Sequence, residues 1–519
     1  MLDQSLAEIG RGVSRPYDPR NFYDKFAELA ARAPESRALL FKKEGQSYSD
    51  LVFRAAAVRK ALFEKGISPG TRVAFQLDPG FDLIAIKLGI LSAGCSYVPI
   101  SNKEAVDRAT YILEDSAAGC FVTQSSYAHR PVGETLPRLI VEDIDWAAAD
   151  HPDPVITPAG SEAYVIYTSG TTGNPKGVVI THHSMVQFGE SISALYETTA
   201  EDVVQYFYSP SVDTSVEEMC LAFFATATLS IATETERHAP PLLERAMKDK
   251  GVTIAILPLK IGMQMQPEQL TDLRLVIFGG EAVHAEIVKK WQAAWRKVYN
   301  GYGPTEATVA CIQMHCQPSD SPPPIGRPMA NHFVLLVDTD GKTPVPLGER
   351  GEIAVAGPGI AQGYLNRPDL TAEKFVINPH ARDATEAVFY LTGDIGRWNA
   401  DGFLEYHGRG DDQVKINGHR VEISEIENAF LQHEDVDFAA VICEGTGEER
   451  FLHAFVRAHE GRPTDAKAYW SALQKRLPFQ MIPRKISFLT EVPVTRSGKV
   501  DRKRLPDFTI PEPAKEAHA

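Results

Sequence analysis

The stretch Thr168-Ser169-Gly170-Thr171-Thr172-Gly173-Asn174-Pro175-Lys176-Gly177 gathers three glycines, four hydroxyl side chains and one lysine. Glycine lets the backbone approach an anion and expose its N–H groups. The hydroxyls add donors and Lys176 adds a charge, so the chemistry is that of holding phosphate. The pattern is not the Walker loop, because Gly177 stands where a serine or threonine should follow the lysine. The bland alternative is a polar hairpin loop, but so many phosphate-competent groups rarely gather between two strands by accident.

A second stretch, Asn300-Gly301-Tyr302-Gly303-Pro304-Thr305-Glu306, carries two glycines and a proline, which predict a tight loop. Tyr302 offers an aromatic face for a purine, Thr305 a hydroxyl for phosphate and Glu306 a hard oxygen for magnesium. The alternative is a surface turn with an exposed tyrosine. Asp394, in Thr392-Gly393-Asp394, carries a carboxylate that can accept two hydrogen bonds from a vicinal diol such as a ribose. Asp213 sits among residues that suit a helix start, where a capping carboxylate is the ordinary reading. Lys499, in Thr495-Arg496-Ser497-Gly498-Lys499, reads by itself as a solvated lysine in a basic tail.

The elements that must position these residues alternate. Phe22, Phe26 and Leu29 predict a helix over Asn21–Arg32, and a second helix runs from about Ser47 to Lys65 with Ser49 as its N-cap. Arg72–Leu77 and Ser96–Ile100 read as strands around a helix at Leu83–Ala93. Ala163–Tyr167 and Val178–Ile180 flank the phosphate loop as strands, and Ala255–Leu259 and Leu275–Glu281 read as further buried strands ending in turns. The alternation predicts a parallel sheet with helices on both faces. Near the C-terminus, Val421–Leu431 reads as a helix, and Asp437–Cys443 and His453–Arg457 as strands.

Composition narrows the function. With 519 residues the chain can form several domains. A formal net charge of −15 argues against a nucleic-acid partner. No apolar run is long enough to span a bilayer, because Lys87 and polar residues interrupt the best candidate near Leu83–Ile100. The N-terminus lacks a basic-then-apolar signal, so no membrane association and a soluble cytoplasmic protein are expected. Cys95, Cys120, Cys220, Cys311, Cys316 and Cys443 form no CxxC pair, and core or surface thiols are expected rather than a metal site.

Taken in order, these motifs resemble the core segments of the adenylate-forming superfamily, in particular the amino-acid adenylation domains of nonribosomal peptide synthesis. Leu91–Ile100, Gly351–Leu365, Gly408–Arg420, Leu477–Pro483 and Pro493–Arg502 join the three stretches above in carrying the resemblance, which covers residues 22–505. Ser101 replaces the family's aspartate and Gln480 its tyrosine. The resemblance implies an α/β fold: a large N-terminal domain, residues 1–408, of sheet-and-helix subdomains plus a β-subdomain. A small mobile α+β lid domain, residues 409–519, would turn about Asp411, with Ile416-Asn417-Gly418 lining a thiol tunnel.

The same resemblance implies ATP and Mg2+ as cofactors. Thr168, Ser169, Gly170, Thr171, Thr172, Gly173, Asn300, Gly301, Tyr302, Gly303, Thr305, Asp394, Arg409 and Lys499 would bind the nucleotide. Lys499, Lys176 and Thr305 would be catalytic, and Glu306 would hold the metal. Asp213, Thr214, Glu217, Ile256, Ile277, Gly279, Gly301, Val309 and Ala310 would line the amino-acid pocket, Asp213 meeting the substrate's amino group and Lys499 its carboxylate. The implied reaction forms an aminoacyl adenylate, which then passes to the phosphopantetheine thiol of a separate carrier protein. Only about twenty residues follow Lys499, so a stand-alone enzyme or an excised module is expected.

Glu217 carries the expectation about substrate. A carboxylate within a pocket wants a cation, which points to lysine, ornithine, β-lysine or a guanidine-bearing side chain. Were Glu217 to turn outward or bind water, the substrate would be a neutral amino acid. An acyl-CoA ligase of the same fold and a non-catalytic nucleotide-binding protein are the other readings. Asp213 speaks against the first. Intact Lys176, Glu306 and Lys499 speak against the second.

Overall fold

The computed structural model of the chain describes residues 4–148, 152–170, 174–293, 295–319, 321–410, 413–416, 419–445, 450–459, 461–462, 465–493, 500 and 502–509. Helix α1 (Phe22–Arg32) begins where Asn21 Oδ1 accepts the Asp24 N–H at 2.9 Å. Helix α2 (Tyr48–Glu64) begins at Ser47, not Ser49 as the sequence suggested. Ser47 and Asp50 exchange side-chain and backbone bonds in a capping box.

Strand β1 (Arg72–Gln76) leads into α3 (Phe81–Ser92), which is buried from Leu83 to Ser92 on all sides. A helix apolar all round belongs inside a large core. Gly89 lets α2 approach, since a Cβ there would lie 2.4 Å from Val58. Strand β2 (Ser96–Pro99) follows, then β3 (Glu162–Thr168) and β4 (Lys176–Thr181), which flank residues 169–175, and helix α4 (His182–Leu195). A seven-stranded sheet contains β4, β3, β2 and β1 side by side, with β3, β2 and β1 parallel.

A nine-stranded sheet carries the rest of the candidate site. Its central strands are β5 (Val203–Tyr206), β6 (Ile254–Ile256), β7 (Leu275–Gly279) and β8 (Lys297–Tyr302), adjacent and parallel in that order. Helix α5 (Thr214–Phe224) lies against β5 and β6. Asn300, Gly301 and Tyr302 therefore belong to a strand, and the tight turn starts only at Gly303. Gly301 is no turn signal here: it pairs with Gly279, whose added Cβ would lie 2.5 Å from the Gly301 carbonyl oxygen. A smaller antiparallel sheet contains Phe333–Val337, Arg350–Ala356, Phe375–Ile377, Leu404–Arg409 and the long strand β9 (Val388–Trp398). Gly363–Tyr364 leaves that sheet and pairs with β4 instead.

By compactness the chain divides into two units. One comprises residues 1–102, 111–167 and 176–411; the other comprises 103–110, 168–175 and 412–519. In the second, helix α6 (Ile423–Leu431) packs with a three-stranded sheet of Val436–Glu444, Phe451–Ala458 and Lys485–Phe488 around Ile426, Phe430, Val441, Ala454 and Tyr469. Among the described residues no helix is long and apolar enough to cross a membrane. The cysteines are free thiols, all buried except the half-buried Cys443.

Candidate active site

Strand β9 delivers Asp394 into the interior, 3% exposed. Its carboxylate accepts the Tyr302 hydroxyl at 2.6 Å, the Tyr406 hydroxyl at 3.3 Å and Arg409 Nη1 at 3.0 Å. Arg409 also donates to the Thr392 carbonyl at 3.2 Å, and Thr392 Oγ1 donates to the Ile353 carbonyl at 2.8 Å. Burial, with Asp394 adding to it, holds the Tyr302 phenol far above its ordinary range. Three residues proposed from sequence, Tyr302, Asp394 and Arg409, thus form one hydrogen-bonded group. Asn300 turns elsewhere: its side chain donates to the Pro324 carbonyl at 3.0 Å.

Lys176 opens β4 and is buried. Its ammonium donates to the Tyr364 hydroxyl at 3.1 Å and lies 3.5 Å from Glu306 Oε1. Tyr364 in turn donates to the same Glu306 oxygen at 2.6 Å. Thr305 and Glu306 begin a short 3-10 turn after Pro304. Glu306 is fully buried and presents the hard oxygen chemistry that Mg2+ takes. Among the described residues no group of three or more His, Cys, Asp or Glu gathers into a metal cage.

The pocket residues also converge. Ile256 pairs with Ile277 and Gly279 with Gly301 on adjacent strands, while α5 supplies Asp213, Thr214 and Glu217. Asp213 stands at the head of α5 and makes no capping hydrogen bond there, so the capping role fails. Glu217, one turn on, is 4% exposed, and its Oε1 has no hydrogen-bond partner. Burial, and then Asp213, push its carboxyl up to about 8. The Tyr196 hydroxyl, electrostatically coupled to Glu217, is likewise buried without a partner. Val309 has φ 70° and Thr308 φ 53°. A β-branched residue in the left-handed region is costly, and the turn is over-determined: Thr308 Oγ1 donates to the Gly359 carbonyl at 2.6 Å, and an added Cβ at Gly303 would lie 2.4 Å from Ala310 Cα.

In the second unit, Ser169 is buried and the Thr168 hydroxyl is buried without a partner. The Gly170 N–H donates to Glu425 Oε2 at 3.1 Å, and Glu425, 1% exposed, also pairs with Arg108. A carboxylate therefore accepts from an amide of the stretch expected to hold phosphate. Arg502 anchors the chain beyond the lysine motif: its Nη1 donates to Glu427 at 2.6 Å and to the Val441 carbonyl at 2.9 Å. Thr171, Thr172, Gly173, Asp411, Asn417, Gly418 and Lys499 lie outside the described residues.

Sequence reasoning missed Tyr364 and Tyr406, which complete the two networks. Tyr364 does lie in a segment that carries the resemblance, Gly351–Leu365, and that was the available signal.

Comparison with known proteins identifies the family. The AMP-binding enzyme family matches residues 26–365, and the AMP-binding enzyme C-terminal domain matches residues 425–499. Tyrocidine synthase 1 of Brevibacillus parabrevis is 35% identical over 517 residues, 98% of this chain and 47% of that protein. Phosphinothricin tripeptide synthetase PhsC of Streptomyces viridochromogenes is 36% identical over 512 residues, 97% of this chain and 46% of that one. The chain thus spans less than half of these curated relatives. Among solved structures, an artificially fused adenylation–PCP di-domain NRPS, NpsA-ThdA from Klebsiella oxytoca, superposes with a TM-score of 0.82 at 26% identity, covering 91% of this chain and 94% of that one. Holo-PA1221, an NRPS protein with adenylation and PCP domains, gives 0.83 at 25% identity, over 97% and 85%.

Proposed function

Because the chain belongs to the AMP-binding enzyme family, we propose that it is an amino-acid adenylating ligase of the nonribosomal peptide synthetase type, acting on a basic amino acid. The substrate carboxylate attacks the α-phosphorus of ATP, the bond to the bridging oxygen breaks, and pyrophosphate leaves. The thiol of a phosphopantetheinylated carrier protein then attacks the aminoacyl adenylate, forming a thioester and releasing AMP. The pairing of adenylation and PCP domains in NpsA-ThdA and PA1221 supports a carrier as acceptor.

The observation that carries the reading is on α5. Glu217 keeps a buried oxygen unbonded, and Asp213, at the head of the same helix, does not cap it. A buried carboxylate is costly unless paired, and an α- or β-amino acid with a second amine brings the partner that Glu217 lacks. Glu217 takes the side-chain ammonium or guanidinium, and Asp213 takes the amino group. Thr214, Ile256, Ile277, Gly279, Gly301, Val309 and Ala310 give the aliphatic stem its walls.

Two anions must be brought together, so catalysis rests on positioning and on positive charge. Thr168, Ser169, Gly170, Thr171, Thr172 and Gly173 hold the phosphates with N–H and O–H donors. Lys176 supplies charge beside them, Thr305 a hydroxyl, and Lys499 bridges the substrate carboxylate and the α-phosphate. Asp394 holds the ribose, with Arg409 and the Tyr302 strand beside it. A magnesium ion on Glu306, when bound, neutralises phosphate charge. Residues 1–408 act as the core and 409–519 as a lid turning about Asp411.

The test is amino-acid-dependent ATP–pyrophosphate exchange, with lysine, ornithine, β-lysine and arginine set against neutral amino acids, fatty acids and aryl acids. Exchange with basic amino acids is expected. Exchange with fatty or aryl acids alone overturns amino-acid activation, and exchange with neutral amino acids alone overturns the basic class. Transfer to free CoA rather than to a holo-carrier protein removes the carrier step.

A further inference from the structure

Helix α3 reads Phe81-Asp82-Leu83-Ile84-Ala85-Ile86-Lys87-Leu88-Gly89-Ile90-Leu91-Ser92, and one residue breaks its apolar core. Lys87 is fully buried and its ammonium makes no hydrogen bond. A leucine or methionine would complete the helix at lower cost, since a buried unpaired charge is among the most expensive groups a core can hold. Fold stability therefore does not account for the lysine.

Its surroundings do. Nζ lies 5.1 Å from the centroid of Tyr97 on β2 and 5.9 Å from that of Tyr206 on β5. Ring faces attract a cation, while burial lowers the lysine's pKa to about 8, so it still carries its proton for the most part near neutral pH. Tyr97 stacks on Tyr164 of β3 at 5.5 Å, and Tyr164 is electrostatically coupled to Asp213. The hydroxyls of Tyr97 and Tyr164 are both buried without partners. From α5, Cys220 and Glu218 act on Lys87. Cys220, three residues beyond Glu217, senses both Lys87 and Glu217. Glu218 already has partners of its own: it accepts the Phe207 N–H at 2.9 Å and the Tyr208 N–H at 3.2 Å. Glu217, the adjacent residue on the helix, is the carboxylate with an unbonded oxygen.

We propose that Lys87 is a specificity-determining residue of the amino-acid pocket. Its ammonium, which shares Cys220 as a neighbour with Glu217, competes with a cationic substrate side chain. It thereby sets how strongly the pocket prefers a cation over an uncharged hydrogen-bonding group of similar length. Such a group, an amide or ureido, can give its N–H to Glu217 and feels no repulsion from Lys87. The inference rests on the reading that Glu217 meets the substrate's side chain. The expected weight is about tenfold in the preference, the order of a charge–charge interaction screened by a protein interior.

The test measures kcat/KM for pyrophosphate exchange with lysine and ornithine against glutamine and citrulline, using the full chain and its Lys87→Met, Lys87→Leu and Glu217→Gln variants. Both Lys87 variants lose a buried charge and are expected to melt no lower than the parent. Lys87→Met raises the cation-to-uncharged ratio about tenfold, chiefly through a lower KM for the cationic substrates. Lys87→Leu gives the same result should the methionine variant fail to fold. An equal change for all four substrates, or none, means that Lys87 is structural and overturns the proposal. Glu217→Gln separates the two claims. If it leaves the ratio unchanged, the contact between Glu217 and the substrate is wrong. If it collapses the ratio while the Lys87 variants do nothing, only the present inference falls.

Discussion

Two buried acidic regions of the first unit solve opposite problems. Around Asp394 and Glu306 each carboxylate is supplied from within: Tyr302, Tyr406 and Arg409 donate to one, and Tyr364 and Lys176 meet the other. Around helix α5 the polar groups are left wanting, with Glu217 Oε1, the hydroxyls of Tyr196, Tyr97 and Tyr164, and Lys87 Nζ all buried and unbonded. The difference matches what each region is proposed to bind. A nucleotide is the same in every turnover, so its site can be built and locked beforehand. An amino-acid side chain must be told from many like it. A site whose buried groups need the ligand's own donors rejects analogues lacking them by as much as ~10⁴–10⁵-fold.

The comparison breaks most easily at its locked end. Asp394→Ala strands a buried guanidinium and the Tyr302 hydroxyl together, and losing one member of a buried pair costs about 3–5 kcal/mol. Denaturant unfolding should show it, and a loss below about 1 kcal/mol would mean that the network is not satisfied as described. In rate rather than stability, Lys499→Ala and Lys176→Met are each expected to slow pyrophosphate exchange about a hundredfold or more. Lys499→Ala should also spare thiolation of preformed adenylate. Unchanged exchange in either variant removes that lysine from the chemistry.

At the open end the signature is pH dependence. Glu217 carries its proton up to about 8, whereas a carboxyl in the unfolded chain releases it near 4.5. Between those values the folded state binds more protons than the unfolded one, so this group's contribution to stability falls as pH rises. Glu217→Gln lacks that loss. The advantage of the variant should therefore grow by about 2–3 kcal/mol between pH 6 and pH 8 and level off above. Glu218 has the same tendency and is present in both proteins, so the part of it that comes from burial cancels, and only the share that Glu217 adds is lost in the variant. A pH-independent difference would place Glu217 in contact with water or an internal partner.

The two ends were not equally legible in the sequence. Local patterns could be read directly: α1 from the spacing of Phe22, Phe26 and Leu29, and the strands on either side of Thr168–Gly177 from their β-type residues. The Ser47 cap could have been read from its three-residue spacing to Asp50, but the serine nearer to Asp50 drew attention. Gly301 misled because glycine marks turns more often than the close strand approach it serves here. Tyr364 reaches Glu306 across 58 residues of chain, and only folding brings them together. Lys87 was visible as a break in an apolar run. What the break means depends on Tyr206 and Cys220, on elements more than a hundred residues away.

The smallest effect is also the most direct reading of satisfied against unsatisfied groups, because it deletes one oxygen from each region. Tyr302→Phe removes a hydroxyl that donates to a carboxylate at 2.6 Å. It should cost about 1.5–3 kcal/mol, the range for hydrogen bonds to charged groups. Tyr164→Phe removes a hydroxyl that is buried and unbonded. That change discards a desolvation cost without breaking a bond, so it should leave the empty protein unchanged or slightly more stable. Equal losses in the two variants would mean that Tyr164 is bonded through ordered water, and the pocket would then be as locked as the nucleotide side. Unequal losses, with the Tyr164 variant also altering KM among amino acids, would show that the unsatisfied groups are held open for the substrate.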